Sequence, residues 1–199
     1  MKPITFEYLV DALKSLPSIG KKQAERIAYF LLLQDKQFVY EFIKRITNAV
    51  EKTHFCRNCN NFATSEFCDI CANPSRDQKK LCIVTSIEDL LKIEQTNEYI
   101  GLYYVLNGEI DVKTKTNISS TIIRKLNDFI IKKDFKEIII STNCTINGEA
   151  TAIFLKKIIN QIAPNTSVYR LAIGLPINSS VDYADPETLK FAIRNRTKI

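Results

Sequence analysis

Apolar residues recur at helical spacing through residues 5–53. Phe6, Leu9, Val10 and Leu13 form one stripe, Ala24, Ile27, Ala28 and Leu31 a second, and Val39, Phe42, Ile43, Ile46 and Val50 a third. Three helices are expected there, with Leu16, Pro17, Ser18, Ile19 and Gly20 turning the chain between the first two. Residues 54–76 are polar and cysteine-rich and have no apolar period, so they need a staple to fold. From residue 81 short apolar runs alternate with helical stripes. Strands are expected at 81–84, 101–106, 137–140 and 168–172. Helices are expected after Ser86, from Ser119 or Ser120 to Lys133, and over 149–162. Ser86 followed by Asp89 reads as a capping box. Continuous apolar strands alternating with helices imply a mostly parallel sheet covered on both faces.

The composition adds limits. No apolar run approaches the ~20 residues of a membrane span, and residues 1–7 lack the pattern of a secretory signal. A cytoplasmic protein is therefore expected. A reducing compartment disfavours disulfides, yet four of the six cysteines fall within residues 56–71, as Cys56, Cys59, Cys68 and Cys71. Two C-x-x-C knuckles supply the four sulfurs of a tetrahedral Zn²⁺ site with no open position, which makes a structural rather than catalytic metal the expectation. A redox pair is the competing reading of C-x-x-C, and His54 flanks the cluster as a lone residue read as outside the ligand set. Cys82 and Cys144 are expected to be small buried hydrophobes. The formal charge of +6 falls to about +4 once four thiolates hold one Zn²⁺, a mild basic excess compatible with nucleic acid.

Two further motifs carry chemistry. Residues 13–27 look like a helix-hairpin-helix, whose tight turn aims backbone N–H groups and a helix dipole at a phosphate. Lys21, Lys22 and Arg26 then lie on the first turns of the second helix, able to neutralise phosphates without reading bases. An ordinary helical turn with a solvated basic face is the alternative. Ser18 stands where the motif has its first glycine. Residues 141–151 follow a strand and open a helix, the place where open α/β sheets put ligand sites. They resemble the acidic motif of Toprim domains, in which carboxylates hold Mg²⁺. Asn143, Thr145 and Asn147 replace carboxylates there, Thr85 occupies the position of the Toprim glutamate, and Glu149 remains acidic.

In this order the pieces resemble the bacterial RecR recombination-mediator family over almost the whole chain. Leu171 to Pro176, Asp182 to Asp185 and the basic stretch 194–199 add to the likeness. The resemblance implies a multi-part α/β chain. Its parts are a helical helix-hairpin-helix domain (1–53), a four-cysteine zinc module (54–76), a Toprim-like α/β domain (77–172) and a C-terminal extension making oligomer contacts (173–199). It implies a non-enzymatic, cytoplasmic and nucleoid-associated homotetramer that holds single- and double-stranded DNA. It further implies action with the RecO and RecF proteins to load RecA on single strands. By carry-over, Lys21, Lys22 and Arg26 become DNA contacts and Glu149 a partner-binding residue. The loop 107–117 lacks the family's usual Gly/Pro content but offers Lys113 and Lys115 to phosphates, and Asn178, Ser179 and Ser180 replace usual glycines. Competing classes are a metal-dependent Toprim nuclease or primase, and a zinc-stapled scaffold without a nucleic-acid role.

Overall fold

The computed structural model describes residues 2–198; Met1 and Ile199, which end the N- and C-terminal segments read above, lie outside the described residues. Residues up to Thr53 form one compact unit and those from His54 a second.

The first unit holds three helices, α1 (Ile4–Lys14), α2 (Lys21–Leu33) and α3 (Lys36–Lys52). Its core is small: Phe6 and Val10 of α1 close on Ala24 and Ala28 of α2, with Leu9, Leu13 and Ile19 around them. Ala24 and Ala28 are fully buried against Phe6 and Val10 of α1. Ser18 takes a left-handed backbone (φ 64°) in the connecting turn, the conformation a glycine would adopt without strain. Gly20, with φ −79°, sits as the N-cap of α2 in ordinary extended geometry. Asp35 caps α3 by accepting the Phe38 N–H at 2.7 Å. No described residue of α3 is buried. The predicted stripe of Phe42, Ile43, Ile46 and Val50 exists but faces outward.

The second unit begins with a hairpin, β1 (His54–Phe55) with β2 (Phe62–Ala63), and a short helix α4 (Asp69–Ala72). Then come β3 (Asp77–Val84), α5 (Ile87–Glu94), β4 (Gly101–Val105), α6 (Ser120–Lys133), β5 (Glu137–Ser141), α7 (Ile146–Ile162) and β6 (Ser167–Arg170). A 3₁₀ turn (Val181–Tyr183) and α8 (Pro186–Arg194) complete it. The four long strands make a parallel sheet in the order β4-β3-β5-β6. Alternate residues feed two cores. Leu81, Ile83, Leu102, Tyr104, Ile138 and Ile140 pack under Leu126, Phe129, Ile130, Leu155 and Ile159 of α6 and α7. Cys82, Val84, Tyr103 and Val105 pack under Leu90 of α5. The Ser86–Asp89 capping box forms as its sequence pattern requires. Helix α7 starts three residues before the expected 149, because Thr145 caps it by accepting the Gly148 N–H at 3.0 Å.

One edge of the sheet is covered. Strand β4 would present unpaired backbone groups, but the Val105 N–H donates to the Cys59 carbonyl at 2.8 Å. The Asn60 side-chain amide donates to the Val105 carbonyl at 3.2 Å. Asn60 is buried and takes a left-handed φ of 60°, which asparagine tolerates better than most residues. At the start of β4, Arg76 forms an ion pair with Glu94, mostly shielded from water, and donates to the carbonyl of Tyr99 at 3.2 Å. Burial opposes ionisation of Glu94, but the Arg76 guanidinium outweighs it and holds the carboxyl below its ordinary value.

Ser18→Gly should raise the unfolding free energy of the helical unit by about 0.5–1 kcal/mol by relieving left-handed strain, read as a higher midpoint in urea melts. Arg76→Ala should cost about 2 kcal/mol, since it strands a half-buried carboxylate. Because the folded-state pKa of Glu94 is depressed, the pair stabilises fully above the ordinary carboxylate range, near ~4.3, and loses its contribution as pH falls through the folded value. Glu94→Gln should flatten that acid limb of the stability–pH curve.

Candidate metal centre and nucleic-acid interface

The Sγ atoms of Cys56, Cys59, Cys68 and Cys71 all lie within 4.8 Å of one another, and the Cys59 and Cys68 sulfurs are 3.5 Å apart. A tetrahedron of thiolates around Zn²⁺ at ~2.3 Å places its sulfurs about 3.8 Å apart, so the donor set fits one such ion with no room for water. Local backbone builds the pocket. The Cys56 N–H donates to the Asn61 carbonyl at 2.7 Å, and the Asn60 N–H to the Cys56 carbonyl at 3.1 Å, closing the first knuckle. The Cys68 N–H donates to the Cys56 sulfur at 3.3 Å, a contact that favours thiolate. Hydrogen bonding with Cys59, then with Cys68 and Cys71, pulls the Cys56 thiol far below its ordinary value. The same bond to Cys56 pushes Cys59 far up. His54 is exposed and bonds the Ser65 carbonyl at 3.0 Å instead of joining the sulfurs. Cys82 is buried as expected, and burial raises its thiol to about 12. Cys144 is a correction: it is exposed, because the loop that leaves β5 turns residues 143–146 to solvent.

In the helical unit, Lys21, Lys22 and Arg26 are all exposed at the start of α2. No side chain caps this N-terminus and no acid lies in its first turn, so the dipole is left for an anion. Lys22 and Arg26 stand four residues apart and share one helix face. Lys21 lies instead over a hollow of about 360 Å³ that also carries Glu7, Asp11 and Glu25. Glu25 is taken by Lys2 at 3.1 Å. Among the described residues, Lys21, Lys22 and Arg26 form no ion pair within 4.0 Å.

At the C-terminal end of the sheet, each position that departs from the acidic motif has a structural use. The Thr85 hydroxyl is buried and donates to Asp89 at 2.5 Å. Thr145 is the cap of α7. Asn143 donates both its backbone N–H (3.1 Å) and its side-chain amide (3.0 Å) to one oxygen of Glu109. The Asn147 side-chain carbonyl accepts the Val112 N–H at 3.1 Å. Gly148 is required by packing, since a Cβ there would collide with the Asn143 carbonyl. Glu149, half-exposed, is ion-paired with Arg170, whose guanidinium also reaches the Asn143 carbonyl at 3.2 Å. An open cleft of about 550 Å³ lies nearby, lined by Phe55, Phe62, Thr85, Glu88, Glu109 and Asn143 among others.

Sequence reasoning missed Asn60, Glu109 and Arg170. Asn60 carried a usable signal, an asparagine directly after a knuckle where a left-handed residue closes the turn. Glu109 and Arg170 carried none, because each acts across the fold on a residue far away in sequence.

Cys59→Ser should abolish stoichiometric zinc and lower the yield of folded protein, measured by metal analysis and circular dichroism. Acidification should release the metal as the thiolates take up protons.

Models of four families match the chain in succession: the RecR helix-hairpin-helix over residues 6–50, the RecR four-cysteine zinc finger over 53–73, the Toprim domain over 79–172 and the RecR C-terminal region over 174–197. The recombination protein RecR of Ureaplasma urealyticum is 47% identical over 198 residues, which span 100% of this chain and 98% of that protein. RecR of Ureaplasma parvum is 46% identical with the same coverage. RecR of Clostridium perfringens is 36% identical across 99% of this chain and 98% of its own length. With three RecR domain models flanking a Toprim match and relatives 36–47% identical over nearly their full length, the chain belongs to the RecR family of recombination proteins.

Proposed function

We propose that this protein is a non-enzymatic DNA-binding mediator of recombinational repair. It acts with RecO and RecF to load RecA onto single strands, in the cytoplasm at the nucleoid. The observation that carries the DNA-binding part is the uncapped, acid-free start of α2 with Lys22 and Arg26 on one exposed face and Lys21 beside them. These three side chains and the free N–H groups of that helix take the phosphates of single- or double-stranded DNA, without base readout. The single zinc ion, held by Cys56, Cys59, Cys68 and Cys71, is structural. The four-part division at 1–53, 54–76, 77–172 and 173–199 follows from assigning DNA contact, staple, partner groove and oligomer contacts to successive segments.

Assembly as a homotetramer is part of this reading. It is supported by α3, whose Phe42, Ile43, Ile46 and Val50 form an apolar stripe that remains exposed, with none of its described residues buried. Ile177, Tyr183 and Ile193 of the C-terminal segment are also exposed. A second copy is the occupant these stripes fit, because one self-complementary face on each copy closes a two-fold contact, and two such contacts per chain close a tetramer. Glu149 is the candidate partner contact. Its pairing with Arg170 means that an incoming basic group must share or displace that guanidinium. Support for a role without catalysis comes from Thr85, Asn143, Thr145 and Asn147, which are committed to capping and loop bonds.

Lys21→Ala/Lys22→Ala/Arg26→Ala should weaken DNA binding and flatten the slope of log affinity against log salt by about 2–3, measured by fluorescence anisotropy. An unchanged affinity and slope would remove α2 as the DNA surface. Phe42→Glu/Ile46→Glu should lower the mass seen by light scattering from that of four chains to two or one.

A further inference from the structure

The loop 107–117 is held in place from below. The Gly108 N–H donates to the Thr85 carbonyl at 3.0 Å, and Glu109 accepts two bonds from Asn143. The Ile110 N–H donates to the fully buried Thr151 hydroxyl at 2.8 Å, and the Val112 N–H to Asn147 at 3.1 Å. Every anchoring group comes from the region where Toprim domains keep their acidic motif. Beyond Val112 the loop turns on itself. Asp111 accepts the N–H groups of Lys113 (2.9 Å) and Thr114 (3.2 Å), and its backbone bridges to Thr116. Those N–H bonds, Thr114 foremost, keep its carboxyl below the usual range. Thr114 and Thr116 share a hydroxyl bond at 2.8 Å, and Lys115 takes a left-handed φ of 55°. Residues 112–117 are all exposed, and neither Lys113 nor Lys115 has an ion pair among the described residues. The one carboxylate in the turn is bound to backbone, so the two ammonium groups are left to an outside anion.

We propose that Asn143, Asn147 and Thr151 are positioning residues that dock the loop 107–117 on the start of α7, and that Lys113 and Lys115 on its tip bind nucleic-acid backbone phosphates. This rests on the DNA-binding reading above and adds a contact surface separate from α2. An amide at 143 is needed for this docking, because a carboxylate there would face Glu109 with like charge. At position 143 a neutral amide is thus compatible with the loop anchor where a carboxylate is not.

The full-length protein is titrated with fluorescein-labelled oligo-dT and with a labelled duplex over a range of salt, and amide exchange is followed over residues 108–117. Lys113→Ala/Lys115→Ala should flatten the salt slope by about 1.5–2 and leave amide exchange unchanged. Asn147→Ala keeps both charges. It should leave the slope as in wild type, weaken affinity by up to about fivefold, and speed exchange at Ile110 to Thr116 by a similar factor, the effect of one lost hydrogen bond. Asn143→Asp should act in the same direction as Asn147→Ala. If the double lysine variant keeps the wild-type slope while the α2 variant loses it, the loop is not a phosphate site, although the DNA-binding reading stands. If Asn147→Ala alters neither exchange nor affinity, the anchoring role is wrong. Failure of the wild-type protein to bind either probe at low salt would remove the DNA-binding reading itself.

Discussion

The Cys59 carbonyl accepts the Val105 N–H, and the Asn60 amide donates to the Val105 carbonyl; together they occupy both backbone groups of one residue on the open edge of β4. A parallel four-stranded sheet has two such edges, and an exposed edge is a template for unwanted pairing. The knuckle that covers this one has almost no apolar content and cannot hold its own shape without its sulfurs gathered. Sheet integrity on that side is therefore coupled to the metal site. The reach of the coupling is visible in Ile70 of α4, which packs against both sheet cores as well as the cysteine cluster. The zinc module is thus part of the α/β unit, sealing it rather than standing apart as a separate bead.

A second constraint governs the other end of the sheet. In a metal-holding Toprim domain the groups at the strand ends face a cation. Here hydroxyls and amides near the strand ends have close neighbours to satisfy. Thr85 joins the capping box of α5, Thr145 starts α7, and Asn143 and Asn147 hold a loop. Each bond is modest, about 1 kcal/mol. Together they fix the loop and helix starts that shape the cleft, so this region is ordered by hydrogen bonds.

Much of this was legible from residue pattern. Period and spacing gave the three helices, the strand–helix alternation, the capping box at Ser86 and the cysteine tetrad, because each is a local signal written within one turn or one strand. The outward face of α3 was not legible, since Phe42 and Ile46 show the same period whether they meet their own chain or another surface. Nor could spacing show that Cys144 is exposed while Cys82 is buried; strand position, not neighbouring residue type, decides it. Ser18 and Asn178 show the opposite case. Both sit in left-handed conformations at places where the family resemblance calls for glycine, so the backbone demand persists although the residue that meets it most easily is gone. Glu109 and Arg170 were invisible because their partners are distant in sequence.

Amide hydrogen exchange with and without zinc tests most directly whether the metal-gathered knuckle seals the β4 edge. With zinc bound, the Val105 amide should be as protected as amides of the sheet interior. After chelation its protection, together with that of neighbouring β4 residues, should fall by roughly an order of magnitude or more while β5 amides change little. Loss of protection confined to residues 54–72, with Val105 unaffected, would contradict it.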